Sequence, residues 1–215
     1  MNSFVNIVYE DNHLFVLNKP SGLPTQPTDR QVDNLQDAAK QWLKETLQKP
    51  GQVFLEPIHR LDKPVSGIVV FAKTSKALSR LNAAMREKQY KKRYMALCEG
   101  HFSCSEATLE HFLIHDHHQA RIVDSTHLEG KKSVLHYRVC KTENAISHLD
   151  IDIETGRYHQ IRIQLSAAGH PILGDFKYGS RIPYREGAIA LHHYSLELPH
   201  PITREIMTFK ADIPF

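Results

Sequence analysis

Three groups of residues in this chain are of types that do chemistry. The first is His59-Arg60-Leu61-Asp62, inside the run HRLDKPVSG at 59–67. Pro64 and Gly67 are turn residues, and Ile68 to Ala72 is an apolar run of strand length. Asp62 therefore sits in a tight connection that leads into a buried strand. A carboxylate there is held by a rigid element and can still meet a ligand. Its plainer use is to accept backbone hydrogen bonds in the turn. The second group is Tyr90-Lys91-Lys92-Arg93-Tyr94. Arginine and lysine meet phosphates and an aromatic face takes a base, so this composition suits a nucleic acid. The third is Thr155-Gly156-Arg157-Tyr158-His159-Gln160-Ile161-Arg162, where a strand gives way to a helix. Arg162 falls in the first turns of that helix and can point back across the strand ends. It can equally be a surface helix residue, and His159 a cap or a support.

The charge distribution favours a polyanion. The chain has 27 Lys/Arg and 24 Asp/Glu, a net charge of +3. Residues 59–93 alone carry ten basic and two acidic side chains, a net +8, while the flanks are each weakly negative. A basic patch on a nearly neutral chain suits a polyanion docked at one place. A solvated helix face is the bland alternative, and the shortage of acids within the patch counts against it. His111, His115, His117 and His118 crowd another stretch, HFLIHDHH. Imidazole suits zinc, but no carboxylate or cysteine at ligand spacing accompanies them, so an exposed polar loop is expected.

Several elements must position these groups. Residues 5–17 read as two short strands across a turn, followed by the turn Asn18-Lys19-Pro20-Ser21-Gly22. A helix is expected over 34–48, with Asp33 as N-cap, Leu35, Ala39, Trp42, Leu43 and Leu47 on its apolar side, and Lys49-Pro50-Gly51 ending it. A second helix is expected over about 76–88, capped by Thr74 or Ser75, with Leu78, Leu81 and Met85 on one face. Strands follow at 95–98, 133–140 and 147–154. Then comes a helix of about a dozen residues carrying Ile161, Leu165 and Ala168, closed by Gly169 and Pro171. The segments 189–198 and 206–211 complete the sheet. The stretch 100–132 shows no clear pattern.

With 215 residues and 41% hydrophobic composition the chain can bury a sizeable core and is read as one domain. Met1 to Tyr9 has no signal-peptide character, and no apolar run is long enough to span a membrane. Three cysteines without a Cys-x-x-Cys pair give neither a disulfide framework nor a zinc ribbon. A soluble protein of the cytoplasm is expected, and with no heptads to argue for a dimer, a monomer.

Five blocks occur in order: NKPSG at 18–22, HRLD-x-x-x-SG at 59–67, the basic run into Tyr94, TGR-x-HQIR at 155–162 and GHPI-x-GD at 169–175. Together they resemble the RluA-type RNA pseudouridine synthases, over nearly the whole chain, in a short form without the S4-type RNA-binding domain. Pro64 and Glu56-Pro57-Ile58 look more like tRNA pseudouridine synthase C than like the ribosomal branch. Val65 departs from the threonine many members carry.

The resemblance implies an α+β fold around a mixed, largely antiparallel sheet with flanking helices. It implies isomerisation of uridine to pseudouridine in tRNA or rRNA, with no cofactor and no metal. Asp62 matches the nucleophile, Arg162 its partner arginine and Tyr94 the active-site tyrosine. Arg60 matches the residue that fills the space left by the flipped base. Lys88, Lys91, Lys92, Arg93, Arg157 and His159 are the remaining candidates for RNA contact. The residue types fit this chemistry. A base inside folded RNA must be flipped out to be reached, and a carboxylate withdrawn from water needs a guanidinium nearby to remain ionised. A tyrosine can stack on the detached base and help remove its C5 proton. A non-catalytic RNA-binding module on the same scaffold is the competing reading; it needs the basic patch but not Asp62.

Overall fold

A computed structural model describes residues 4–28, 33–48 and 50–215. In chain order the first elements are β1 (Ile7–Glu10), β2 (Leu14–Lys19), α1 (Leu35–Thr46), β3 (Glu56–Pro57), β4 (Ser66–Ala72) and α2 (Ser75–Arg86). Then come β5 (Lys91–Glu99), β6 (Glu106–Asp116), β7 (Gln119–Val123), β8 (Lys131–Glu143) and β9 (Ile146–Ile153). Helix α3 (Gln160–Ala167), a 3-10 turn (Phe176–Tyr178), β10 (Leu191–Pro199) and β11 (Ile206–Lys210) follow. The class is α+β, with a mixed, largely antiparallel sheet. The chain divides into two compact units: residues 1–91 with 193–214, and residues 92–192 with Phe215.

In the first unit β1, β2 and β4 form an antiparallel run, β3 adds to β4, and β10 pairs with β11. Strand alternation sends Leu14, Val16, Ile68 and Val70 to one side, where they pack with Ala77 and Leu81 of α2 and with Leu196, Leu198 and Phe209. Phe15 points to the other side and stacks on Trp42 of α1, the ring centroids 5.4 Å apart. So Trp42 is part-buried and packs on the core through Phe15, on the apolar side of α1.

The second unit is an antiparallel sheet in the order β5-β9-β8-β6-β7. Asn144 and Ala145 join β8 to β9 with φ of 51° and 60°, the left-handed pair that a two-residue hairpin turn demands. Helix α3 is tied to the sheet by Gln164, whose amide nitrogen donates to the carbonyls of Leu109 (3.0 Å) and Ser133 (3.2 Å).

Several local expectations change. The N-cap of α1 is Asn34, not Asp33; its side chain accepts from the Asp37 amide at 2.9 Å. Lys49, expected in the helix stop, lies outside the described residues. Helix α2 is capped by Thr74 but buries Ala77, Leu81 and Ala84, leaving Leu78 only part-buried. Small residues let the helix approach the sheet closely, so the buried stripe is displaced from the largest side chains. Helix α3 has eight residues rather than a dozen. The histidine-rich stretch is no loop: it is the end of β6 and a tight turn into β7, register Asp116↔Gln119. Its strand character comes from hydrogen bonding to β7 and β8, which composition does not display.

Gly67 has φ +120°, and a Cβ there would lie 2.3 Å from the His193 carbonyl oxygen and 2.6 Å from its nitrogen. The His193 ring also sits 2.7 Å, through Nδ1, from the carbonyl of Ile68. The glycine of the HRLD block is thus required where β4 meets β10. We expect Gly67→Ala to destabilise the fold by about 3 kcal/mol or more, since both strain and backbone overlap oppose it. Denaturant unfolding of the purified variant measures this.

Candidate active site

Asp62 belongs to the first unit and is half-buried. Its turn closes on itself, the Val65 amide donating to the Asp62 carbonyl at 3.0 Å. Further support comes from residues 19–25. Thr25 Oγ1 accepts from the Leu61 amide (3.2 Å) and donates to the Leu61 carbonyl (3.1 Å). The Gly22 amide donates to the Lys63 carbonyl at 2.8 Å. Both neighbours of Asp62 are therefore pinned by the segment that reads, in sequence, as a mere turn.

Lys19 completes this arrangement. It is fully buried, and its ammonium donates to the carbonyls of Pro20 (2.8 Å), Leu23 (2.7 Å) and Lys63 (3.3 Å). Burial pushes its pKa down to about 7, and the negative charge of Asp62 opposes that fall. A lysine at the end of an apolar strand and just before a proline was the only sequence signal for this role. Arg60 is exposed beside the turn, while His59 Nε2 accepts from the Val70 amide at 3.4 Å.

Tyr94 and Arg162 belong to the second unit, and both are buried. Tyr94 lies on β5 opposite Ile151 of β9. Arg162 is held by a carboxylate quoted in the sequence only as part of a turn motif. Its Nε donates to Asp175 Oδ2 and its Nη2 to Oδ1, each at 2.7 Å. The guanidinium also lies over the Tyr178 ring, 5.0 Å from its centroid. The Tyr178 hydroxyl accepts from the Ala120 amide at 2.7 Å and sits 2.8 Å from Nδ1 of His159. Thus Arg162 and His159 come together, with Asp175 and Tyr178 as members that sequence reasoning missed. Arg157 does not join them; it is exposed and its Nε donates to the Lys132 carbonyl at 3.4 Å.

The basic run is less solitary than its local composition implies. Lys91 pairs with Glu197 at 3.5 Å, and Arg93 pairs with Asp150, which Arg138 also contacts at 3.2 Å. The acids missing nearby in sequence arrive from β9 and β10. By alternation Arg93 points away from the face that carries Tyr94. It lines a polar cavity of about 420 Å³ with Thr108, His136, Arg138 and Asp152. Lys88 is exposed with φ 56°, and Lys92 is half-buried. Among the described residues no cluster of His, Cys, Asp and Glu could hold a metal ion. Of the four histidines in 111–118, His111 sits 3.2 Å from the Gln164 amide nitrogen, and His115 lies against Tyr158. Cys98 is buried, Cys104 and Cys140 are exposed, and all three are free thiols.

His159 has φ 51° and makes no side-chain cap to α3. Burial, then the charges of Arg162 and Lys177, push its imidazole down to about 3. The unfolded chain takes up a proton here below about 6.5, whereas the folded chain resists until about 3. Stability contributed by neutral His159 is therefore present at neutral pH and lost as pH falls through that window. We expect the denaturant midpoint to drop from pH 7 to pH 5, and His159→Gln to flatten that drop.

Comparison with known proteins identifies the family. The sequence pattern of the RNA pseudouridylate synthase family matches residues 13–167. The dual-specificity RNA pseudouridine synthase RluA of Haemophilus influenzae is 36% identical over 99% of this chain and 94% of its own. The ribosomal large subunit pseudouridine synthase D of Zymomonas mobilis is 34% identical over 98% of this chain and 69% of its own. Among solved structures, human RNA pseudouridylate synthase domain containing 1 superposes with a TM-score of 0.80 at 26% identity, covering 100% of this chain and 86% of that one. A match across most of the chain, with the HRLD turn inside it, means that this protein belongs to the RNA pseudouridylate synthase family.

Proposed function

We propose that the protein is an RNA uridine isomerase that makes pseudouridine in transfer or ribosomal RNA. The family match spans the Asp62 turn, Tyr94 and Arg162, and that joint presence carries the reading. In this reading the target nucleotide is flipped out of its RNA stack, and Arg60 takes the place it leaves. Asp62 is the nucleophile, and covalent catalysis splits glycosidic cleavage from re-attachment. The bond between C1′ and N1 breaks, the base turns within an enclosed site, and a bond from C1′ to C5 forms. The C5 proton leaves with help from the Tyr94 hydroxyl, and Tyr94 stacks on the free base. Arg162, its plane fixed by Asp175, takes the part of the arginine that the resemblance assigns as partner to the nucleophile. Lys19 adds a second positive group near Asp62 while its carbonyl contacts hold the turn.

RNA contact falls to Arg60, Lys88, Lys91, Lys92, Arg93, Arg157 and His159, with the exposed Lys88 and Arg157 best suited to phosphates. The enzyme works in the cytoplasm as a monomer, without metal or cofactor. The description of the H. influenzae relative as dual-specificity supports looking for more than one RNA target.

Tritium release from RNA labelled at uridine C5 reports the chemistry directly. We expect Asp62→Asn to lose at least about a thousand-fold in release while binding RNA as tightly as the parent. Full turnover by this variant would remove Asp62 as nucleophile, and a binding module would be indifferent to it. Lys88→Gln and Lys91→Gln should each flatten the slope of log affinity against log salt by about one unit. An unchanged slope would take that side chain off the RNA path.

A further inference from the structure

The 3-10 turn that carries Asp175 to Arg162 also presents a side chain that nothing buries. Asp175 and Tyr178 are 1% and 7% exposed, while Phe176 between them is 64% exposed. The turn is rigid. The Tyr178 amide donates to the Asp175 carbonyl at 3.0 Å, as does the Ser180 amide at 3.1 Å. Glu99 Oε1 then accepts from Ser180 Oγ (2.6 Å) and from the amides of Arg181 (2.7 Å) and Ile182 (3.0 Å). Lys177 is tied to the β6–β7 hairpin: its ammonium and the Tyr158 hydroxyl both donate to the His118 carbonyl. An exposed phenyl ring on such a support is apolar area left unburied. Its segment is basic in sequence: residues 176–187 hold Lys177, Arg181 and Arg185 against one acid, Glu186. An exposed aromatic face next to a lysine suits a nucleotide, because every base has a π-face and phosphate meets the lysine.

We propose that Phe176 is a stacking platform for an unpaired nucleotide flanking the target uridine, with Lys177 meeting its phosphate. This assignment rests on the RNA-modifying reading above and adds a determinant of which RNA segment is accepted. The turn that carries the ring is held by its own hydrogen bonds, so stacking requires no further ordering of the backbone.

Binding of a short fluorescent oligouridylate, and of an abasic oligonucleotide of equal length, tests it. Phe176→Ala should weaken oligouridylate binding about ten-fold and leave abasic binding unchanged. Phe176→Leu, apolar but without a π-face, should behave like the alanine variant, and Phe176→Trp should restore affinity. In the tritium-release assay Phe176→Ala should raise KM and keep kcat. Equal oligouridylate affinity for Phe176→Ala and the parent overturns the platform, as does an equal loss on the abasic oligonucleotide, which would mean a contact to backbone alone. Normal tritium release by the parent with an unaltered Phe176→Ala removes only the platform. A parent that releases no tritium from any RNA removes the enzymatic reading, and the platform with it.

Discussion

Two opposite charges withdrawn from water hold helix α3 of the second unit in place. The Arg162 and Asp175 side chains are 6% and 2% exposed and meet through two parallel hydrogen bonds. Desolvating both groups offsets most of the attraction, so the pair adds little net stability. Removing one partner would strand the other charge at a cost of about 3–5 kcal/mol. Such a pair fixes geometry. Helix α3 needs that, because eight residues are too few for a stable helix on their own and no side chain caps its first turn. Its orientation comes instead from Arg162 on Asp175, Gln164 on two strand carbonyls and the Thr155 hydroxyl on Gln160 Oε1 at 2.8 Å.

The first unit solves a similar problem with neutral partners. Lys19 is buried among carbonyl oxygens, which accept from its ammonium without neutralising it. The negative charge of Asp62 favours the charged form of that ammonium. In one unit a cation is locked by a carboxylate, and in the other a cation is held by neutral oxygens with a carboxylate nearby. Each is held by a short connection that follows a strand, where backbone groups no longer committed to the sheet are available to a side chain.

Much of this was legible in the order of residues. The β1–β2 pair, α1, α2, β10 and β11 follow from periodicity and punctuation. The Asp62 turn and the Arg162 helix follow from motif blocks. Most of what escaped has one physical origin: partners distant in sequence. Asp175 lies thirteen residues beyond Arg162, and Lys19 reaches Lys63 across forty-four. Glu197 and Asp150 neutralise part of a run that looks unpaired when only neighbours are counted. The hairpin β6–β7 was hidden for the same reason, since its histidines and aspartate disguise a strand whose ladder partners lie elsewhere. Small residues hid the true buried stripe of α2, because periodicity weighs Leu78 and Met85 above Ala77 and Ala84.

The hydroxyl of Thr25 both gives and receives a hydrogen bond at Leu61, one residue before Asp62. A genetic map of inactivating substitutions would therefore not respect the boundary between chemistry and scaffold. Changes in residues 19–25, which make no bond to substrate in the proposed reaction, would score beside those at Asp62 itself. They would mark a region remote in the gene as indispensable. Selection acting on Asp62 constrains its distant bracket as well, and the NKPSG block carries part of that bracket.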